Sequence, residues 1–529
     1  MSPPPAPADP ARAAEGLSAR IADIVGLDPS KPAVEFESRW RTWGELGSTI
    51  DAVAAHVPEP GFEVGVLLRN RPASVGFLLG VLRAGGCVVT INPQRGVGRT
   101  RADIDSLDLP LLAGEPADLD AHVDDRSRPA TLRTGDLGEP VVATSAAERT
   151  AARRRPGVAV RMLTSGTTGP PKRIDLTYAT LERVLVGAKH YESDRDDALR
   201  LRSGVAIVNS PLVHLGGLFR VLQCVNDGRS FSLLERFTVD GWLDAVRRHR
   251  PRTVSLVPAA LRMVLDADVD PADLASVRSV VSGTAPLAPE DADAFAEKYG
   301  IPVLVSYAAT EFGGGVAGWN LADHQRYWAT KRGSVGRAHA GCELRVVDPE
   351  SGSPLPAGAE GLLEVKAAQL GDDSWIRTTD LARLDGDGFL WILGRADETI
   401  IRGGFKVRPD DVRTTLERHP GVRGAAVVGI ADARLGSVPV AAVELRPGAE
   451  ATTTEALLEY AAAHLARYEL PTEVRIVDEL PRTDSAKVDL AAVRALFTHP
   501  DASAPNQSAS VPKSLEEEGM STDAEGVRG

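Results

Sequence analysis

LTSGTTGPPKR, from Leu163 to Arg173, is the stretch of this sequence that decides its fold. Small hydroxyl side chains and glycines let backbone N–H groups close around an anion and form a concave nest. Glycine also lets the backbone approach an oxygen closely. Lys172 adds a positive charge. Because apolar VAVRML precedes the stretch and IDLTY follows it, we expect two strands joined by a phosphate-binding loop.

This loop is not a Walker A motif, in which Gly-Lys-Ser/Thr follows the first glycine after four residues. Counted from Gly166, position 171 is proline, and Lys172 is followed by Arg173. A flexible polar connection is the alternative interpretation, since clusters of Ser, Thr and Gly commonly form loops. The apolar flanks and the narrow composition favour phosphate binding.

The stretch resembles the signature loop of adenylate-forming enzymes, which include acyl-CoA synthetases, nonribosomal-peptide adenylation domains and luciferases. It departs from their pattern only at Arg173, where glycine is usual. The resemblance implies that the loop binds ATP and that Thr164 also contacts a metal ion. The implied ATP-binding residues are Thr164, Ser165, Gly166, Thr167, Thr168, Gly169 and Lys172.

Length and charge limit the remaining possibilities. The 529 residues exceed one typical core, so two or more domains are expected. A net charge of −13 argues against nucleic-acid binding and disfavours anionic membrane surfaces. The three cysteines lie far apart, and no secretory signal or run of about 18 apolar residues occurs. We therefore expect a cytoplasmic protein without a membrane span.

Buried strands alternate with helices along much of the chain. VGVLLRN, ASVGFLLGVLRAGG and CVVTINP predict a right-handed βαβ unit and a parallel sheet. Repetition of this pattern predicts an α/β fold with doubly wound sheets, in which ligands lie beyond the carboxyl ends of strands. Residues 333–394 predict a small antiparallel, barrel-like part. Thr42 and Glu45 predict a helix capping box.

Together with the resemblance, these patterns divide the chain into four segments. We expect a disordered tail over residues 1–14 and a large adenylate-forming domain over 15–396. A small, mobile α+β domain is expected over 397–497, followed by a disordered tail over 498–529. We interpret residues 108–156 as an irregular connection with one strand.

Two further motifs come where strands end. SGTAP resembles the loop that lines the adenine pocket, which implies nucleotide contacts from Gly283, Thr284, Ala285 and Pro286. YAATE resembles the family's YGxTE. It implies that Tyr307 and Ala308 bind the nucleotide, with the Tyr307 ring stacked on adenine, that Thr310 contacts the α-phosphate, and that Glu311 binds Mg2+. A strand end with a surface glutamate is the alternative for YAATE alone.

The longest match runs from Ile376 to Gly404. By resemblance, Asp380 accepts hydrogen bonds from the ribose, Arg395 binds the ribose or phosphate region, and Asp397 is the hinge of the small domain. Thr379 stands where glycine is usual. The following loop is the one that relatives place against pantetheine, which implies CoA binding by Gly403, Gly404, Phe405 and Lys406.

Near the end, LPRTDSAKVD resembles the family's PxTxSGKxxR, with Ala486 in place of glycine. Lys487 is then the mobile catalytic lysine, which neutralises charge on the α-phosphoryl group. PLVHLGG resembles the acyl-pocket loop, so we expect His214 to act at the acid; a buried structural histidine is the alternative. The expected acyl-pocket residues are His214, Leu215, Gly216, Ala309 and Phe312.

The resemblance therefore implies an ATP- and Mg2+-dependent acyl-CoA synthetase that activates a hydrophobic carboxylic acid, such as a fatty, aromatic or steroid side-chain acid. AMP and pyrophosphate are the expected products. Three alternatives remain: a ligase that loads a carrier-protein phosphopantetheine, a nucleotide-binding relative without activity, and a scaffold. The oligomeric state stays open, a homodimer included.

Overall fold

The computed structural model describes residues 10–123, 129–144, 153–164, 172–189, 199–483, 487–498 and 508–510. The α-helices in these ranges are α1 (Pro10–Gly26), α2 (Trp43–Ala54), α3 (Pro72–Arg83), α4 (Val97–Leu107), α5 (Pro116–His122), α6 (Tyr178–Lys189), α7 (Leu215–Asn226), α8 (Val239–His249), α9 (Pro258–Asp266), α10 (Pro289–Tyr299), α11 (Leu321–Lys331), α12 (Pro409–Glu417), α13 (Thr454–His464) and α14 (Leu490–Thr498).

The strands of the first half of the chain are β1 (Pro32–Phe36), β2 (Arg39–Thr42), β3 (Glu63–Leu67), β4 (Cys87–Ile91), β5 (Leu111–Gly114), β6 (Ala130–Arg133), β7 (Val142–Thr144), β8 (Val158–Thr164), β9 (Lys172–Thr177), β10 (Arg202–Val208), β11 (Arg229–Leu233) and β12 (Thr253–Ser255). Those of the second half are β13 (Ser279–Ser282), β14 (Val303–Ala309), β15 (Gly314–Gly318), β16 (Arg337–Ala338), β17 (Glu343–Val347), β18 (Glu360–Lys366), β19 (Ile376–Leu384), β20 (Leu390–Arg395), β21 (Ile400–Arg402), β22 (Phe405–Val407), β23 (Val422–Asp432), β24 (Gly436–Leu445), β25 (Glu473–Val477) and β26 (Ser508–Ser510).

These strands form separate sheets. A seven-stranded sheet has the order β7-β6-β5-β3-β4-β8-β9, and a five-stranded sheet has the order β12-β13-β14-β15-β16. Two four-stranded sheets have the orders β10-β11-β1-β2 and β17-β18-β19-β20. A six-stranded C-terminal sheet runs β22-β21-β24-β25-β26, with β23 also paired to β24. The predicted α/β class, with an antiparallel part after the main sheets, is confirmed.

The βαβ unit that the sequence predicts lies at the centre of the seven-stranded sheet. Strands β3 and β4 are parallel and fully buried, and Val64 pairs with Val88. Helix α3 connects them and is buried from Pro72 to Leu82, which explains why its sequence is apolar on every side. The predicted capping box of Thr42 and Glu45 is also present at the start of α2.

The chain is more ordered than its composition suggests at three places. Residues 108–156 contribute β5, α5, β6 and β7, because the four buried residues of β5 fit between β3 and β6. Helix α1 begins inside the predicted tail 1–14, since Leu17, Ile21 and Ile24 form a buried stripe at helical spacing. Within the predicted tail 498–529, residues 508–510 pair with β25, whose edge offers free backbone groups.

The C-terminal sheet has its own apolar clusters, whose buried members all lie at or beyond Ile400. Charged contacts join this part to the rest of the protein. The pairs are Arg262–Glu417 at 3.3 Å, Asp266–Arg423 at 3.0 Å, Asp266–Arg446 at 3.6 Å and Glu360–Arg408 at 2.7 Å. Polar contacts of this kind are typical of surfaces that separate and rejoin, because they lose little when water replaces them.

We expect Asp266→Asn to loosen this contact, since the carboxylate of Asp266 faces two arginines from the C-terminal sheet. Partly exposed ion pairs contribute up to about 1 kcal/mol, so amide hydrogen exchange in α12 and β23 should rise about two- to fivefold. Asp268→Asn is the matched control, because Asp268 pairs with Lys298 on the same side of the contact. Equal exchange rates in α12 and β23 for both variants would contradict this expectation.

Candidate functional site

The SGTAP turn and the YAATE end lie next to each other at one sheet edge. Strands β13 and β14 are parallel, and Ser282 pairs with Val305. A Cβ on Gly283 would lie 2.8 Å from the Oγ of Ser306, so only glycine fits there. Thr284 has a φ of 71°, a backbone angle that residues other than glycine rarely adopt. The backbone of the turn is therefore held close to the strand that carries Tyr307, at the carboxyl ends where α/β proteins bind ligands.

The side chains of Tyr307 and Asp380 meet across this edge. The Tyr307 hydroxyl donates a hydrogen bond to Oδ2 of Asp380. Burial raises the pKa of both groups, and the Tyr307 hydrogen bond and Arg395 oppose the rise at Asp380. Tyr307 therefore stays protonated as a donor, and its ring is fixed in one orientation by a contact from the neighbouring sheet.

Arg395 stands directly opposite Asp380, because the two residues pair in the register of β19 and β20. Its guanidinium donates two hydrogen bonds to Asp397, at 2.9 and 2.8 Å, and lies 3.5 Å from Glu398. Asp397 belongs to the short 3-10 turn Ala396–Glu398. Burial raises the pKa of Glu398 to about 6. The predicted ribose-binding and hinge residues thus form one connected group.

Lys487 reaches this group from the other end of the chain. Its carbonyl accepts a 2.7 Å hydrogen bond from Thr483 N. Lys487 is exposed as a residue, yet protein atoms surround its ammonium group at longer range, and this desolvation lowers its pKa. Glu311 favours the charged form, whereas Arg395 opposes it. Glu311 and Arg395, predicted from two other motifs, therefore lie close enough to Lys487 to influence its charge.

The ends of the signature loop also meet. Strands β8 and β9 are antiparallel, with Thr164 opposite Lys172 and Leu163 opposite Arg173, so the two predicted strands are present. Ser165, Gly166, Thr167, Thr168 and Gly169 lie outside the described residues. Their predicted contacts with ATP stay predictions.

His214 precedes α7 and begins its first turn. Its backbone N–H donates to Pro211 O at 3.0 Å, and its carbonyl accepts from Leu218 N at 3.1 Å. A Cβ on Gly217 would lie 2.3 Å from Pro211 O, so glycine is required for this tight turn. Leu215 is half-buried and Gly216 is exposed with open space beside it. The predicted acid-binding role of this turn stays a prediction.

Asn70, which the motifs do not identify, fixes the same loop. Its Oδ1 accepts from Leu212 N at 2.7 Å, and its Nδ2 donates to Ser210 O at 2.9 Å and Leu234 O at 3.0 Å. All its hydrogen-bonding groups are therefore used while the residue is buried. A polar residue at the carboxyl end of a buried strand was the signal that could have identified it.

The remaining predicted pocket residues differ in exposure. Ala308 is exposed and Ala309 is half-buried, so both lie at the open end of β14. Phe312 is only 2% exposed and packs with its ring centroid 6.0 Å from that of Tyr307. Its position supports the Tyr307 ring, and its predicted contact with the acid stays a prediction.

The predicted CoA-binding residues lie on the hairpin of β21 and β22. Gly403 and Gly404 have φ values of 57° and 92°, as a two-residue hairpin turn with two positive φ angles requires. Phe405 is 58% exposed and stacks on Tyr468 with ring centroids 4.9 Å apart. Lys406 is exposed beside it.

Comparison with known proteins gives one consistent result. The model of the AMP-binding enzyme family matches residues 23–372, and that of the AMP-binding enzyme C-terminal domain matches residues 412–487. The chain is 30% identical to indoleacetate–CoA ligase of Aromatoleum aromaticum over 91% of this chain and 98% of the relative. It is 28% identical to 2-succinylbenzoate–CoA ligase of Bacillus cereus, over 89% and 96%.

Among solved structures, ATP-bound MatB from Rhodopseudomonas palustris superimposes with a TM-score of 0.77 at 26% identity. The match covers 92% of this chain and 99% of that protein. These comparisons confirm the resemblance, the fold and the enzyme class that the motifs predict. No helix within the described ranges is long and apolar enough to cross a membrane.

We expect Tyr307→Phe to weaken ATP binding while keeping a ring for stacking. The variant removes the hydroxyl of Tyr307, which donates a hydrogen bond to Asp380. Hydrogen bonds to charged groups contribute about 1.5–3 kcal/mol, part of which the ribose replaces, so KM for ATP should rise about tenfold. Steady-state kinetics at saturating acid measures this. Tyr299→Phe removes a hydroxyl that bonds Val264 O elsewhere, and it should leave KM for ATP unchanged.

Proposed function

The chain belongs to the family of AMP-binding enzymes, and from this premise we propose that it joins an aromatic carboxylic acid to CoA. The carboxylate oxygen attacks the α-phosphorus of ATP, and pyrophosphate leaves. The CoA sulfur then attacks the acyl carbon of the adenylate, and AMP leaves. The second step succeeds because the phosphate of AMP is a better leaving group than the oxygen of a free carboxylate.

One observation supports this function above all: Tyr307, Asp380, Arg395, Glu311 and Lys487 come from distant motifs and interact at one sheet edge. In the proposed complex Tyr307 stacks on adenine, and Asp380 accepts from the ribose hydroxyls. Arg395 and Lys487 would supply positive charge to the phosphates, together with Lys172 of the signature loop. Lys487 stabilises the negative charge that develops as the carboxylate attacks.

Glu311 fits the role of a Mg2+ ligand. It is exposed, its carboxylate oxygens suit this cation, and Mg2+ is commonly held by one or two carboxylates together with substrate phosphates. In the described part of the chain no group of three His, Cys, Asp or Glu could hold a metal ion without such phosphates. A Mg2+ held by Glu311, with Thr164 as a further ligand, would neutralise charge on the phosphoryl oxygens.

The second step needs the C-terminal sheet in another position. The contacts of this C-terminal part with α9 include the ion pairs Arg262–Glu417 and Asp266–Arg423, whose side chains keep 9–31% of their accessible surface, so that water can replace each partner when this part moves. Rotation about Asp397 would break the Arg395 contacts described above, withdraw Lys487 and bring the Gly403–Gly404 turn to the adenylate. The two glycines leave room for the narrow pantetheine arm.

The proposed acid is aromatic. The relatives' names specify indoleacetate and 2-succinylbenzoate, each with a ring near a carboxylate, which favours an aromatic over a fatty acid. The turn from His214 to Gly216 lies open beside α7, and Ala308 and Ala309 present only methyl groups. These residues would border the ring of the acid.

The direct test compares acids with ATP, Mg2+ and CoA. We expect AMP, pyrophosphate and an acyl-CoA from indoleacetate, 4-coumarate or 2-succinylbenzoate. Pocket shape commonly changes kcat/KM by about tenfold or more per group, so octanoate should react at least about tenfold less efficiently. Phosphorus NMR identifies the cleaved bond, and mass spectrometry identifies the thioester. Formation of ADP would overturn the chemistry, and a preference for octanoate would overturn the substrate class. Transfer only to a phosphopantetheinyl carrier protein would overturn CoA as the acceptor.

We expect Lys487→Ala to slow carboxylate-dependent pyrophosphate release by about a hundredfold or more, the usual cost of removing a charge-stabilising donor. Thioester formation from supplied acyl-AMP should persist, because Lys487 is withdrawn in that step. The lowered pKa of Lys487 adds a pH signature. Only the protonated form stabilises negative charge, so the rate should fall at a lower pH than the ordinary pKa of lysine would give. Lys487→Arg should move this fall to higher pH, because arginine stays protonated. An unchanged profile would contradict the assignment.

A further inference from the structure

Arg173 occupies the position where the signature pattern has glycine, and its side chain is enclosed. Only 9% of the Arg173 side chain and 15% of its partner Asp103 are accessible. The guanidinium donates from Nη2 to Asp103 Oδ2 at 2.7 Å and from Nη1 to Thr90 O at 2.9 Å. A long side chain that is enclosed and hydrogen-bonded at its end restricts the position of the backbone that carries it.

That backbone is the base of the signature loop. Arg173 lies opposite Leu163, and the next pair, Thr164 and Lys172, closes the hairpin. The partners of Arg173 belong to other elements: Asp103 is on α4, and Thr90 is on β4. One side chain therefore connects the loop's outgoing strand to two residues, Asp103 and Thr90, that precede Arg173 by 70 and 83 residues.

The pairing of the strands explains why the hydrogen bond from Arg173 to Thr90 forms. Strands β4 and β8 pair through Val88 with Val160 and Val89 with Arg161, and the pairing ends there. Beyond this point β8 leaves β4, so the carbonyl of Thr90 needs another donor, which Arg173 supplies. Arg173 thereby adds polar contacts at the loop end of the β8 and β9 hairpin, beyond the core packing of Met162 and Ile174.

We propose that Arg173 and Asp103 form a positioning pair that sets the base of the signature loop for ATP. This inference rests on the proposed function. The pair touches no reacting atom, and it acts through the backbone of Thr164 and Lys172. A preset base reduces the conformational freedom that ATP must remove on binding, so its loss weakens ATP binding more than it slows the chemical step.

The test uses Arg173→Gly, which restores the family residue, Asp103→Asn, and the double variant. We expect each single variant to raise the Kd of ATP–Mg2+, measured by calorimetry without acid, at least about fivefold, as for typical coupled sites. The double variant should have a Kd for ATP–Mg2+ no higher than that of the single variant that binds ATP more weakly, since both changes remove the same interaction. Arg173→Lys should restore part of the affinity. KM for ATP should follow Kd, with kcat and KM for the acid changed less than twofold.

Asp136→Asn is the matched control. Asp136 pairs with Arg41 at 3.0 Å, and the accessible fractions of that pair are 19% and 9%. This change should lower the melting temperature and leave the Kd of ATP unaltered. If Asp103→Asn and Arg173→Gly likewise lower only the melting temperature, the pair is structural and the proposal is overturned. The proposal would also be overturned if the increase in Kd of the double variant equalled the product of the increases in the two single variants. Failure of the proposed function is distinguishable, because ATP would then bind normally with no acid activated.

Discussion

The enclosed carboxylate of Asp380 is the constraint on which the rest of the site depends. Its burial favours the protonated form, so the charged form requires hydrogen-bond donors and a cation close by. Tyr307 supplies the donor from the five-stranded sheet, and Arg395 supplies the cation from the next strand of its own sheet. Two sheets are thereby held together at the one place where a ribose would bring further hydroxyl donors. The nucleotide would complete a hydrogen-bonding arrangement that the protein has already oriented.

The same constraint extends to Lys487 through Arg395. Arg395 disfavours a positive charge on Lys487, whereas Glu311 favours one. A triphosphate placed between these groups would change the balance, because its charge attracts both cations. The position of the C-terminal sheet would therefore depend on what occupies the site, since the ion pair of Asp266 with Arg423 of that sheet is partly exposed and weak on its own.

The sequence motifs identified residues that the structure brings together, but they did not identify the residues that support them. Motifs identified Tyr307, Asp380 and Arg395 because nucleotide chemistry restricts which side chains occur at such spacings. Asn70 and Asp103 were not identified, since each acts on a loop more than 60 residues away, and the amino-acid sequence alone does not show which residues such a side chain reaches. Ordered structure within residues 108–156 was missed for a related reason. Short buried strands carry no clear periodicity, and neighbouring strands rather than local preference determine them.

Residues that replace family glycines raise the question of whether this chain keeps a working site. Glycine is indispensable where φ is positive or where a Cβ has no room. In the described part of the chain, Arg173, Ala308 and Thr379 are absent from the non-glycine residues with positive φ. Ala308 and Thr379 are exposed, so their side chains extend into open space, and Arg173 has partners for its charge. By contrast, Gly283 and Gly217 are retained where a Cβ would collide with Ser306 or Pro211. Within the described residues, glycine is thus lost where the backbone does not need it and kept where it does, which favours an active enzyme over an inactive nucleotide-binding relative. Ala486, which also replaces a family glycine, lies outside those residues.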